Sequence, residues 1–243
     1  MITGAAFGQE GEGTDAATGD NVPSLSTPGT SDFGDVQDII TASDFFDRVS
    51  DRYAEIEDFQ ADVVFTYPDT TMSGTLYHKR PDMLLIEYDD PEDQVISVDG
   101  VHLQVYIPYL DVVMDQPLRP RDDSAGFGIA THQGLELMRS RYSIAYLDSQ
   151  DYVPIDDFSN EMVRKLRLEW KNIGEGFREI ILSVNEDLLI RRIEASTSGQ
   201  DTLTIDFTNI VLNQGLPSRM FVWDSPPSAN LIRNFIFQPD AAQ

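Results

Sequence analysis

The chain has no cysteine, which excludes disulfides, thiolate metal sites, a cysteine nucleophile and a lipid-modified N-terminal cysteine in the sequence as it stands. It also has no uncharged apolar run of about 20 residues, the length a helix needs to cross a bilayer. Basic residues are scarce: 17 Lys and Arg stand against 42 Asp and Glu, for a formal charge of −25. Such a charge repels phosphate backbones and anionic lipid surfaces, so nucleic acid is excluded as a partner. There are 3 histidines, His78, His102 and His132, in separate segments with no spacing that gathers them on a metal; His78 and His102 are expected on the solvent side of strands. No G-x-S-x-G, glycine-rich phosphate loop or dinucleotide fingerprint occurs. Asp89-Asp90 with Glu92-Asp93 could attract calcium, but a solvated acidic turn is the better reading. Catalytic residues, a metal and a cofactor are therefore all left unassigned, and the expectation is a soluble, unanchored protein that is not an enzyme.

What is present is enough to fold, since 41% of the 243 residues are apolar. Residues 1–38 form a Gly, Ser, Thr, Asp and Pro segment without Lys or Arg, an acidic stretch that cannot bury a core and is expected to be disordered. Its opening residues include small side chains like a signal-peptide cleavage region, without the charged and apolar regions that precede one. A missing upstream signal sequence and an ordinary disordered tail both fit. The folded domain is placed at 39–243. Thr41-Ala-Ser-Asp44 is a helix start, and Phe46, Val49, Tyr53 and Ile56 follow at helical spacing to an end near Asp58. Ala61, Val63 and Phe65 then alternate as a strand.

From Gly74 to Pro108, Leu76, Leu84, Ile86, Tyr88, Ile96 and Val98 fall at even positions, so three short runs each present one apolar face if extended. Arg80-Pro81, Asp89-Asp90-Pro91 and Asp99-Gly100 break the runs, which predicts an antiparallel meander. Asp111 to Leu118 reads as a further strand, Arg119 to Gly126 as a loop, and Phe127 to Tyr142 as one or two short helices carrying Leu135, Met138 and Tyr142. Alternation resumes at Leu166, Leu168 and Trp170 and continues through Gly176–Val184, Leu188–Ser196 and Thr202–Leu212. So many hairpins imply one wide sheet that curls on itself. Apolar residues on both faces of Met83 to Tyr88 fit either a filled core or a space between a curved sheet and covering helices.

The segment 74–108 resembles the periplasmic outer-membrane lipoprotein carrier proteins of the LolA type. The resemblance rests on Gly74, Leu76, Lys79-Arg80-Pro81, Leu84, Ile86, Pro91, Asp99-Gly100, Leu103, Tyr106 and Pro108, and extends more weakly over 41–230. Phe221-Val-Trp-Asp-Ser-Pro-Pro227 resembles the family's closing strand, with Ser228-Ala-Asn230 where a glycine often stands; Gln104 replaces a frequent aromatic. Leu231 to Phe237 is additional apolar chain, read as an edge strand or a plug.

The resemblance implies an α+β fold, a strongly curved antiparallel sheet or unclosed half-barrel with helices covering the concave side. It implies an acyl-chain cavity lined by Leu76, Leu84, Ile86, Tyr88, Ile96 and Val98, and lid helices carrying Phe46, Val49, Tyr53, Leu135 and Met138. Arg80 is implied as the lid latch, bonding helix backbone when the cavity is empty; a guanidinium has the five donors such a role needs, although an exposed strand-end cation explains the residue equally simply. The implied function is a monomeric periplasmic carrier of lipoprotein acyl chains or a related lipid, with an inner-membrane release complex and an outer-membrane acceptor as partners. A lipid-sensing regulatory module of the same fold is the alternative, and a hydrolase is the least favoured.

Overall fold

Two apolar periodicities, helical and then alternating, follow one another in the sequence, and both are realised. The computed structural model describes residues 40–118, 130–172, 176–199 and 201–235; the expectations for 1–38, for the loop 119–126 and for 236–237 lie outside them. Helix α1 (Ala42–Ala54) is capped by Thr41, whose hydroxyl accepts the Asp44 amide at 3.1 Å. It buries Phe45, Phe46, Val49 and Tyr53 on one stripe. The helix stops before Asp58 because that residue is engaged elsewhere: its buried carboxylate accepts the amides of Gln214, Gly215 and Leu216 at 2.7, 3.0 and 3.1 Å. Ile56, expected at the end of the helix, is buried in the turn that follows it.

The strands are β1 (Asp58–Tyr67), β2 (Thr70–Lys79), β3 (Met83–Asp90), β4 (Val95–Val98), β5 (His102–Ile107) and β6 (Val112–Pro117). After α2 (His132–Arg141) come β7 (Tyr142–Tyr146), β8 (Val153–Pro154), β9 (Met162–Trp170), β10 (Glu179–Asn185), β11 (Ile190–Ser196), β12 (Thr202–Leu212) and β13 (Asn230–Arg233). All 13 strands belong to one sheet, ordered β13-β6-β5-β4-β3-β2-β1-β12-β11-β10-β9-β7, with β8 beside β9. Every neighbouring pair is antiparallel except β13, which lies parallel to β6. β13 and β7 are free ends, so the sheet is unclosed.

Its curvature follows from which residues share a core. Leu103 of β5 and Leu166 and Leu168 of β9 belong to one buried cluster that also contains the α1 and α2 stripes. Flat, those strands would stand about 38 Å apart at the usual interstrand spacing of about 4.8 Å. The sheet therefore bends around the helices, giving an α+β half-barrel with both helices on the concave side.

The convex side has its own cover. Leu85 and Val95 pack with Phe221, flanked by Tyr77, Tyr106, Met220 and Trp223. The Ser97 hydroxyl donates to the Phe221 carbonyl at 2.7 Å, and the Trp223 and Tyr106 rings sit 5.2 Å apart. The expected closing strand at 221–227 does not form: Ser218–Phe221 is a 3-10 turn and the residues after it are irregular. Phe221 is worth more as a plug for an apolar convex patch than as one rung of a ladder, and the prolines that follow lack ladder donors. The second apolar face of Met83 to Tyr88 is thus covered by the chain's own C-terminal segment. Asn230–Arg233 realises the edge-strand reading of the extra chain.

Gly74 sits where the β2–β3 register shifts, opposite Tyr88. A Cβ there would fall 2.2 Å from the Glu87 carbonyl oxygen and 2.7 Å from the Tyr88 Cα, so the two backbones approach as only glycine permits. Gly74→Ala should lower the unfolding free energy by about 1–3 kcal/mol or more. In the same urea titration Gly176→Ala, whose added methyl meets nothing within 4 Å, should fall within about 0.5 kcal/mol of wild type.

Candidate functional site: a helix-covered concave face

Cross-strand pairing assembles the concave face in rows. One runs Phe59, His78, Leu84, Val98, Leu103; the next runs Ala61, Leu76, Ile86, Ile96, Val105; Val63, Gly74 and Tyr88 begin a third. On the other wing Leu166, Leu182, Ile193, Ile205 and Phe65 align in the same manner. Leu76, Leu84, Ile86, Tyr88 and Val98 are buried, and Ile96, partly buried, packs against the same cluster. Phe46, Val49 and Tyr53 reach that cluster from α1, and Leu135 and Met138 from α2. All the residues assigned from sequence to cavity and lid therefore meet in one place, where the helix side chains close over the sheet.

Polar ties fix the helices there. The Arg80 guanidinium donates to the Ala54 carbonyl, the last residue of α1, at 2.5 Å, while its backbone amide donates to Glu57 at 2.9 Å. Two residues on, Asp82 accepts the Gln133 side-chain amide of α2 at 3.1 Å. One turn between β2 and β3 thus holds both helices. On the opposite wing the buried Tyr53 hydroxyl accepts the Ile190 amide at 3.1 Å, and burial pushes its pKa up to about 12. Between the helices, the Arg139 guanidinium pairs with Asp47 at 2.8 Å, and the His132 Nδ1 lies 3.2 Å from the Ser50 carbonyl oxygen. Asp82 and Gln133 were missed in the sequence because a contact between turn and helix leaves no periodic trace.

His78 overturns its expectation. It lies on the buried concave face, only 5% exposed, with the Phe59 ring 5.2 Å away. The signal was available, since His78 is two residues from Leu76 and shares its face by the period of a strand. Burial, aided by the positive charge of Arg80 and opposed by Asp58, pushes its imidazole down to about 4. His102 faces the other side, half-exposed, with Nδ1 2.8 Å from an Asp115 carboxylate oxygen. The Asp89-Asp90 and Glu92-Asp93 side chains are exposed, as a solvated turn requires.

The concave face holds a second polar group, Arg164 of β9. Its guanidinium carbon lies 4.5 Å from the Tyr152 ring centre and 4.6 Å from that of Phe45, a sandwich between aromatic faces.

The family model described as outer membrane lipoprotein carrier protein LolA matches residues 66–224. Solved structures with a similar fold include an uncharacterized conserved protein from Thermus thermophilus, 12% identical with a TM-score of 0.53, the match covering 79% of this chain and 98% of that one. A LolA superfamily protein from Nitrosomonas europaea is 16% identical with a TM-score of 0.40, covering 76% and 98%. The MucA/MucB complex of Pseudomonas aeruginosa gives 11% and 0.48, covering 75% of this chain and 61% of that one. Among curated proteins no match is found.

The buried imidazole makes stability depend on pH. Above about 6.5 both folded and unfolded chains hold it neutral; as the pH falls towards 4 the unfolded chain takes up a proton that the folded one refuses. Stability present above pH 6.5 is then lost, by roughly 3 kcal/mol at the bottom of that window. His78→Phe should flatten this part of the stability profile relative to wild type in parallel urea titrations. Identical slopes would place the imidazole in water.

Proposed function

The chain belongs to the outer membrane lipoprotein carrier protein family, LolA, and on that premise we propose that it is a periplasmic carrier that shields acyl chains of lipoproteins, or of a related lipid, beneath its two helices. The observation that carries the reading is a concave face of continuous apolar rows covered by helices that a few polar ties hold down. It acts as a monomer, receiving cargo from a release complex in the inner membrane and passing it to an acceptor in the outer membrane. No helix among the described residues is long and apolar enough to cross a membrane.

Magnitudes favour an exchange of cover. The α1 stripe buries Phe45, Phe46, Val49 and Tyr53, worth roughly 6–12 kcal/mol together at about 1.5–3 per side chain. An acyl chain gains about 0.8 kcal/mol per buried methylene, so about ten methylenes replace what the helix loses when it lifts. Cargo and lid are then closely balanced, and small polar terms decide between them. Arg80 is the latch: its bond to Ala54 exists while α1 is down, and the helix lifts only when it breaks. A hydrolase reading would have to start from Ser50 and His132 on the covering helices, whose Oγ and Nδ1 lie 3.4 Å apart while the same nitrogen is 3.2 Å from the Ser50 carbonyl oxygen; the continuous apolar rows beneath them favour the carrier instead.

The latch has a testable sign. Arg80→Leu removes a bond of about 1.5 kcal/mol that exists only in the closed, empty state. It should bind a fluorescent fatty-acyl probe as tightly as wild type or up to about tenfold more tightly, and release it more slowly to acceptor vesicles. Weaker binding with faster release would make Arg80 a cargo contact, and no change in either quantity would make it a surface cation. Failure of the wild-type chain to bind any acyl probe would overturn the carrier reading itself.

A further inference from the structure

Among the described residues, three buried side-chain atoms have no hydrogen-bond partner: His78 Nδ1, Arg164 Nε and Ser183 Oγ. Ser183 lies on the face of β10 opposite Leu182 and Val184, away from the helices. Arg164 already spends its planar faces on aromatic rings. His78 is different. It stands in a row of Phe59, Leu84, Val98 and Leu103, where a leucine or phenylalanine would pack without leaving a polar atom stranded.

Its position is specific. It is the penultimate residue of β2, two before Arg80 in the turn that follows, and so lies at the end of the face where the α1 C-terminus is tied down. Beyond it the concave rows continue as Leu76, Ile86 and Tyr88, without another titratable group before Tyr88. A chain entering as α1 lifts would find apolar wall along its length and one polar nitrogen near its end.

We propose that His78 recognises the carbonyl group at the polar end of an acyl ligand, in the tautomer that presents Nδ1–H to the carbonyl oxygen. This rests on the carrier reading and adds to it the register of the cargo: the carbonyl at His78, the methylenes along Leu84, Leu76 and Ile86. The imidazole is neutral at physiological pH, so it offers a hydrogen bond without bringing a charge into the apolar space. With the helices down, the nitrogen waits unpaired; with cargo in place, it is satisfied. The empty state is thereby disfavoured relative to a lining of leucines alone.

The test uses palmitic acid, methyl palmitate and hexadecane, each competing against a fluorescent fatty-acyl probe on the full chain. His78→Phe keeps the volume and removes the nitrogen. It should weaken palmitic acid and methyl palmitate about tenfold, the loss of one hydrogen bond, and leave hexadecane unchanged. A loss for the acid alone would assign the site to free fatty acids, and a loss for both to the acyl carbonyl whatever its substituent; either supports the proposal. Should the variant fold poorly, nitrogen-15 spectra of the wild-type imidazoles give the same answer, because the chain has only 3 histidines. The His78 Nδ1 resonance should shift with the acid or the ester and not with the alkane. Unaltered affinities in the variant, or an unmoved resonance in a wild-type chain that binds all three ligands, would overturn the proposal and leave the carrier reading standing. A wild-type chain that binds none of the three would overturn both.

Discussion

A sheet that is apolar on its inner face has to be covered, and here a helix of 13 residues does most of the covering. That constraint explains the curvature. Only a bent sheet lets strands as far apart in order as β5 and β9 share one buried cluster with the helical stripes. It also explains why α1 is tied at several points instead of being docked by burial alone. Apolar contact is strong but undirected, whereas Tyr53 to Ile190 and Arg80 to Ala54 fix where along the trough the helix lies.

The two faces of the sheet are covered by different means, and the difference bears on what each can do. On the convex side Phe221 is wholly buried and Ser97 holds its carbonyl, so the segment 216–223 behaves as part of the wall. Asp58 fastens the start of that segment with three backbone amides. On the concave side the ties at the end of α1 and the start of α2 are exposed. Exposed polar contacts are weak, on the order of 1 kcal/mol or less for an ion pair such as Arg139 with Asp47. The convex cover is thus held by buried contacts and the concave cover by exposed polar ones.

The excess of acid has little to do with this interior. Where basic residues appear in the second half of the sheet they are used locally: Arg191 pairs with Glu161 at 2.9 Å, and Arg192 bridges Asp156 and Asp206. The remaining carboxylates give the molecule a strongly negative field, which discourages contact with anionic surfaces and favours basic ones.

The sequence by itself determined the strands, their order along the chain and the face each presents, because period-two alternation in Leu84, Ile86 and Tyr88 or in Leu166 and Leu168 is a local property of the chain. It determined the helix start at Thr41 for the same reason, since a cap involves residues three apart. With the family resemblance it also pointed to sheet and helix residues that share one buried cluster. Tertiary structure decided what depends on contacts across long separations. It ended α1 early by binding Asp58 to residues 214–216, and turned the expected closing strand into a convex plug around Phe221. Asp82 was brought to Gln133, and His78 into the apolar row. That last placement shows the boundary most clearly: alternation assigned His78 a face, but only the helix folded over that face determined that it would be dry.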